Sequence, residues 1–174
     1  LRLGQSNWSK FGSRLENTSI EEILEAAEWL AKEKRGMLVV FERQSQLETS
    51  TLVRLDTILN ADISKELLQT IFATDTPLHD GACLVKDGKL VAANCYINSL
   101  SEDYSIKQSF GTRHRAALGL CEASDAVALI VSEETGAISL AYDSKLNYDL
   151  KITEITKILE SILKVTEEVK KEEN

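Results

Sequence analysis

The chain has 174 residues, 43% of them hydrophobic and 28% charged, and a formal charge of −8. That length holds one domain with a substantial core and leaves little room for two. The acidic balance disfavours nucleic acid as the main partner, and a single proline among eight glycines argues against long disordered linkers. Cys83, Cys95 and Cys121 are far apart and odd in number, which argues against a disulfide framework or a zinc site and for a reducing compartment. No run approaches the roughly 18 to 20 apolar residues that span a bilayer. The sequence opens on Leu1 without a signal-peptide pattern. The expectation is a piece of a longer protein, with a membrane anchor upstream left open.

Residues 1–18 are polar, with Trp8 and Phe11 as isolated apolar points, and read as an arm or connector. Ser19 and Glu22 have the spacing of a capping box. Ile23, Leu24, Ala27, Leu30 and Ala31 then recur at helical spacing, and Gly36 is the expected stop. The unbroken apolar run 37–41 predicts a buried strand. Residues 43–62 carry no clear period. Ser64 is expected to cap a short helix through Phe72.

Apolar runs at 82–85 and 90–93 flank Asp87-Gly88, a strong hairpin signal. Residues 98–109 read as a polar loop, and a helix is expected over 112–121. Strands follow at 126–131 and 137–142, joined by a turn at 133–136. Leu150, Ile155, Ile158, Leu159, Ile162 and Val169 mark one face of a C-terminal helix within 149–174, with a charged tail from Glu167 that is expected to fray. Hairpins mix with helices and there is no strict βαβ repeat. The pattern predicts an α/β (α+β) fold: a mixed central β-sheet flanked by helices, in a single globular domain.

The chain has two histidines, and both have unusual neighbours. His79 precedes Asp80-Gly81-Ala82 at the entry to an expected strand. A carboxylate there can hold a divalent cation or polarise a hydroxyl, and Gly81 admits close backbone approach. Taken alone, Asp-Gly also reads as a simple turn. His114 lies in Gly111-Thr112-Arg113-His114-Arg115, at the start of the 112–121 helix. Helix starts favour acidic residues, because the backbone dipole is already positive there. Two arginines at that point make sense if an anion binds, with N–H groups, the Thr112 hydroxyl and the guanidinium forks forming a phosphate cradle. The competing reading is an arginine pair bridged to surface carboxylates. Ser132-Glu133-Glu134 ends a buried strand and offers a further metal ligand or a plain turn. Tyr96 offers a platform for a base or an ordinary half-buried tyrosine. Together, these pieces fall at strand ends and a helix start, where loop-borne sites gather.

On these residues the sequence resembles the diadenylate cyclase family, whose hallmarks are Asp-Gly-Ala and Arg-His-Arg motifs. Here they read Asp80-Gly81-Ala82 and Arg113-His114-Arg115, and the 131–136 segment also matches. The likeness spans roughly residues 20–145 and is strongest to the membrane-anchored branch. It places the cyclase domain at 19–148, with nothing like the DNA-binding region of the DNA-scanning branch. It implies condensation of two ATP into cyclic di-AMP across a homodimer, with Mg2+ or Mn2+. By that resemblance Asp80 is catalytic, and Asp80, His79 and Glu134 contact the metal. Gly81, Ala82, Tyr96, Ile97, Gly111, Thr112, Arg113, His114, Arg115 and Ser132 bind nucleotide or phosphate. A tethered cytoplasmic domain is the implied setting. The alternatives are a non-catalytic ATP or cyclic di-AMP sensor on the same fold, and a structural interaction domain.

Overall fold

Five consecutive buried residues, Met37–Phe41, form the central strand of an eight-stranded sheet. The structure is a computed structural model describing residues 15–172, with side chains described as far as residue 163. The expected arm, with Trp8 and Phe11, therefore falls almost wholly outside the described residues. So do the side chains of the expected charged tail.

The elements are α1 (Asn17–Lys32), β1 (Met37–Phe41), β2 (Val53–Arg54), β3 (Thr57–Ala61), α2 (Lys65–Ile71), β4 (Ala82–Lys86), β5 (Lys89–Ile97), α3 (Tyr104–Ser109), α4 (Thr112–Ala123), β6 (Val127–Val131), β7 (Ile138–Tyr142), β8 (Lys145–Asn147) and α5 (Ile152–Glu172). The strand order is β2-β5-β4-β1-β6-β7-β8, with β3 also paired to β5. Only β1 and β4 run parallel; the other pairs are antiparallel. This is the mixed sheet that the sequence pattern predicts.

Apolar side chains on both faces explain the unbroken runs. Met37, Val39 and Phe41 point to one core, and Leu38 and Val40 to the other. β6 does the same, with Val127, Leu129 and Val131 on the first side and Ala128 and Ile130 on the second. The first core is closed by α1, α2 and α5, through residues such as Ile23, Leu30, Leu68, Ile155 and Leu159. The second is closed by α4, through Ala116, Ala117, Leu120 and Cys121. Each large aliphatic buried this way contributes about 1.5–3 kcal/mol. Helices on both faces leave the ends of the strands as the place for a cleft.

Several local expectations hold. The Ser64 hydroxyl accepts the Leu67 N–H at 3.2 Å and caps α2. Asp87 and Gly88 are both left-handed, at φ 50° and 75°, and close the β4–β5 hairpin.

Others are corrected. The Ser19–Glu22 capping box does not form, because α1 starts at Asn17 and encloses Ser19. Glu22 instead accepts the Lys65 N–H at 2.6 Å and so ties α1 to the start of α2. Gly36 does not stop α1. Lys34 does, by turning left-handed at φ 49° while the Arg35 N–H returns to the Leu30 carbonyl at 2.9 Å. The 43–62 stretch holds β2 and β3, the 98–109 stretch holds α3, and β8 follows β7. These elements are short, and α3 buries no residue, so no apolar period announces them.

Candidate active site

The Asp80-Gly81-Ala82 turn owes its shape to a bulge in the neighbouring strand. Pairing between β4 and β5 slips by one residue between Ala82–Cys95 and Leu84–Ala92, and Asn94 is left-handed at φ 51°. The bulge presses the β5 backbone against Gly81. A Cβ at Gly81 would stand 2.5 Å from the Cys95 carbonyl oxygen, and Gly81 itself is left-handed at φ 79°. Glycine alone satisfies both demands. The consequence is that Asp80 projects at the rim, its side chain 83% exposed.

His79 is oriented by its other ring nitrogen. Nδ1 lies 2.6 Å from the Thr76 carbonyl, which can only accept, so Nδ1 carries hydrogen. In the neutral ring Nε2 then holds a lone pair, 3.5 Å from Asp80 Oδ1. Two electron-rich atoms side by side suit a shared cation.

The start of α4 forms the opposite wall. Its N-cap is Gly111, which supplies no side-chain cap. The first N–H to return within the helix is that of Arg115, to the Gly111 carbonyl at 3.2 Å. The first-turn N–H groups and the dipole therefore face outward, ready for an anion. Arg113 Nη1 bonds Glu133 Oε2 at 3.1 Å, while its Nε is buried without a partner. His114 is 6% exposed, and its Nε2 is also buried without a partner. Its ring packs 5.0 Å from Phe110 and 6.1 Å from Tyr148. Burial pushes the His114 pKa below the ordinary histidine value, Arg113 adds to that, and Glu134 opposes it. His114 is thus a neutral ring at neutral pH.

One cleft of about 510 Å³ brings these parts together. His79, Asp80, Gly81 and Ala82 line it from the start of β4, and Tyr96 and Ile97 from the end of β5. Gly111, Thr112, Arg113 and His114 line it from α4, and Ser132 and Glu134 from the turn after β6. Arg115 is the exception among the residues expected in the site. It lies outside the lining, half-buried with its Nε unpartnered, and its charge is felt by Glu102.

Among the described residues, no three His, Cys, Asp or Glu side chains converge to hold a metal. His79 and Asp80 form a pair, and Glu134 does not complete a triad with them.

Further residues line the cleft beside those given a role from the motifs. Glu133 partners Arg113, and its signal lay inside the matched 131–136 segment. Asn98 and Leu100 come from the stretch read as featureless loop. Cys95 also lines the cleft, but burial pushes its thiol up to about 12, so it is an inert wall and not a nucleophile. Arg54 lies outside the lining, yet its guanidinium sits 5.0 Å over the Tyr96 ring, held by Asp56 at 2.8 and 3.2 Å.

A mixed sheet that presents an uncapped helix start opposite a rim carboxylate has the parts of a phosphate-handling site. Residues 24–146 match the family described as DAC, DisA bacterial checkpoint controller nucleotide-binding, and the chain belongs to that family. It is 38% identical over 167 residues to the cyclic di-AMP synthase CdaA of Bacillus subtilis (strain 168), covering 94% of this chain and 60% of that protein. The chain therefore spans less than two thirds of that curated relative's length. The fold matches the crystal structure of a double mutant of DacA from Staphylococcus aureus, with TM-score 0.77 and 38% identity. That match covers 84% of this chain and 95% of the other. A hypothetical membrane spanning protein from Bacillus cereus matches with TM-score 0.72 and 42% identity, over 76% of this chain and 64% of that one. Among the described residues, no helix is long and apolar enough to cross a membrane.

Proposed function

We propose that this domain condenses two ATP molecules into cyclic di-AMP and releases two pyrophosphates. The observation that carries the reading is the meeting of Asp80, Arg113 and the uncapped start of α4 on one cleft, in a chain of the DAC family. Relatives named for cyclic di-AMP synthesis support the choice of substrate.

The triphosphate lies against the first turn of α4, where free N–H groups and the Thr112 hydroxyl donate to its oxygens. Arg113 adds a guanidinium fork once it leaves Glu133, an exposed and weakly held partner. Tyr96 flanks the adenine. Neutral His114 contributes a hydrogen bond and an aromatic wall, and no charge. Asp80 at the rim accepts a hydrogen bond from the attacking 3′-hydroxyl and takes its proton. Each 3′-oxygen bonds to the α-phosphorus of the opposing ATP. The bond from that phosphorus to the α,β-bridging oxygen breaks, and pyrophosphate leaves with the electron pair. In-line placement and charge neutralisation carry most of the rate.

A divalent ion, Mg2+ or Mn2+, bound with the triphosphate would neutralise its charge and polarise the α-phosphate. His79 Nε2 and Asp80 suit such an ion. Asp80 offers the carboxylate oxygen that Mg2+ takes beside phosphate and water oxygens, and the His79 nitrogen would favour the softer Mn2+. The product is two-fold symmetric and this cleft supplies one set of the proposed groups, so the working unit is a C2 dimer with the clefts facing. The membrane-spanning relative supports a tether outside this segment.

The test is incubation with ATP and either metal at rising protein concentration, with product read by mass. Cyclic di-AMP whose yield per protomer rises with concentration is expected. Tight ATP binding without product at any concentration, with either metal, refutes the cyclase and favours a sensor.

A further inference from the structure

We infer that Gly36 is a positioning residue for Arg113: the absent side chain at 36 is the slot in which the arginine fork is aimed. The sequence pattern assigns Gly36 to helix termination, a task Lys34 performs instead. Gly36 is not held left-handed, so its backbone does not require glycine. Space is what it supplies. A Cβ at this position would overlap Arg113 Nη1, and would stand 2.5 Å from Cζ and 3.0 Å from Nε.

The slot has a floor and a wall. Gly36, between α1 and β1, is the floor. Glu133 is the wall, taking Nη1 at 3.1 Å. Arg113 lies between them with its side chain only 21% exposed and its Nε buried without a partner. A long, flexible side chain loses rotamer entropy when it binds phosphate. Here it is already confined, close to the free N–H groups of α4. Gly36 does not line the cleft, so it acts through Arg113 and touches no substrate.

The assignment rests on the proposed phosphate role of Arg113, and the test separates the two. Four proteins are compared: wild type, Gly36→Ala, Arg113→Lys and the double variant. Calorimetry reads their affinity for ATP. The Arg113 Nε–H resonance, identified by its loss in Arg113→Lys, reads the position of the fork without ligand or turnover. Gly36→Ala should fold normally, shift that resonance and weaken ATP binding by roughly ten-fold or more, the scale of one charge-assisted hydrogen bond. On the Arg113→Lys background the same methyl should cost less than about three-fold, because a slim lysine stem can pass it. An unmoved resonance, or equal losses in both backgrounds, overturns the inference. A wild type that binds no ATP would refute the proposed function instead, and the resonance would still decide on Gly36.

Discussion

Replacing Gly81 with alanine tests the whole construction of the site, because two separate penalties meet there. The left-handed backbone at φ 79° costs an L-residue about 1–2 kcal/mol. The new methyl would also stand 2.5 Å from the Cys95 carbonyl and 3.1 Å from the Asn94 carbonyl carbon. Both neighbours are backbone, and neither can swing away as a side chain could. Forcing them apart adds about 1–3 kcal/mol, the usual cost of overpacking. The expected loss is therefore about 2–5 kcal/mol, read by urea unfolding. Gly88→Ala is the control. Gly88 is equally left-handed at φ 75° and lies at the tip of the β4–β5 hairpin, so it carries the same backbone penalty. Gly81→Ala should lose about 1–3 kcal/mol more than Gly88→Ala. It should also lose turnover by about a hundred-fold, because the β5 bulge sets the aim of Asp80 and misplacement by about 1 Å has that effect. Equal stability losses in the two variants, or full turnover in Gly81→Ala, would refute the bulge as the device that presents Asp80.

Asp80→Asn removes the proposed proton acceptor but leaves the start of α4 intact. ATP affinity by calorimetry should stay within a few-fold, while turnover falls about 10²- to 10⁴-fold. Stability should depend on His114. Its folded pKa is depressed, so below the unfolded value near 6.5 the unfolded chain binds the proton more readily. The thermal midpoint should therefore drop as pH falls from about 7 through 6 toward the folded pKa. His114→Gln should flatten that slope, and an unchanged slope in the variant would clear His114 of the effect. Arg54→Ala should loosen Tyr96 and raise the KM for ATP by roughly two- to five-fold at constant kcat. Arg54→Lys should recover part of that loss, and an unaltered KM in both variants would remove Arg54 from the adenine side.

What was legible in the sequence follows from the range of the forces involved. β1 and β6 could be read directly, because a strand buried on both faces needs an unbroken apolar run such as Met37–Phe41. The Asp87-Gly88 hairpin and the Ser64 cap were legible because backbone geometry selects those residue types locally. The cleft's two poles, at Asp80 and at Arg113, were legible as motifs. Arg54 over Tyr96 was not, because cross-strand contact between β2 and β5 joins residues 42 positions apart in an unpatterned stretch. The role of Gly36 was hidden for the same reason. A glycine four residues past a helix suggests a C-cap, and only the tertiary fold brings Arg113 across it. Glu22 shows the converse error. Its spacing from Ser19 satisfied a local rule, but the Lys65 N–H claimed the carboxylate across the α1–α2 contact.

The basic start of α4 is an electrostatic conflict, and the structure shows how it is contained. A helix N-terminus carries about half a positive charge, and Arg113 places a full one beside it. Burial and Arg113 keep His114 neutral, so the ring does not worsen the repulsion. Glu133 supplies the compensating negative charge, and its side chain is 64% exposed. That exposure matters: a solvated ion pair contributes about 0–1 kcal/mol, so Arg113 can be exchanged to another anion at little cost. A buried carboxylate in the same place would hold the guanidinium several-fold more tightly and compete with ligand. An acidic chain thus keeps this cationic helix start stable without ligand, and leaves it free to pass that charge to the proposed polyphosphate.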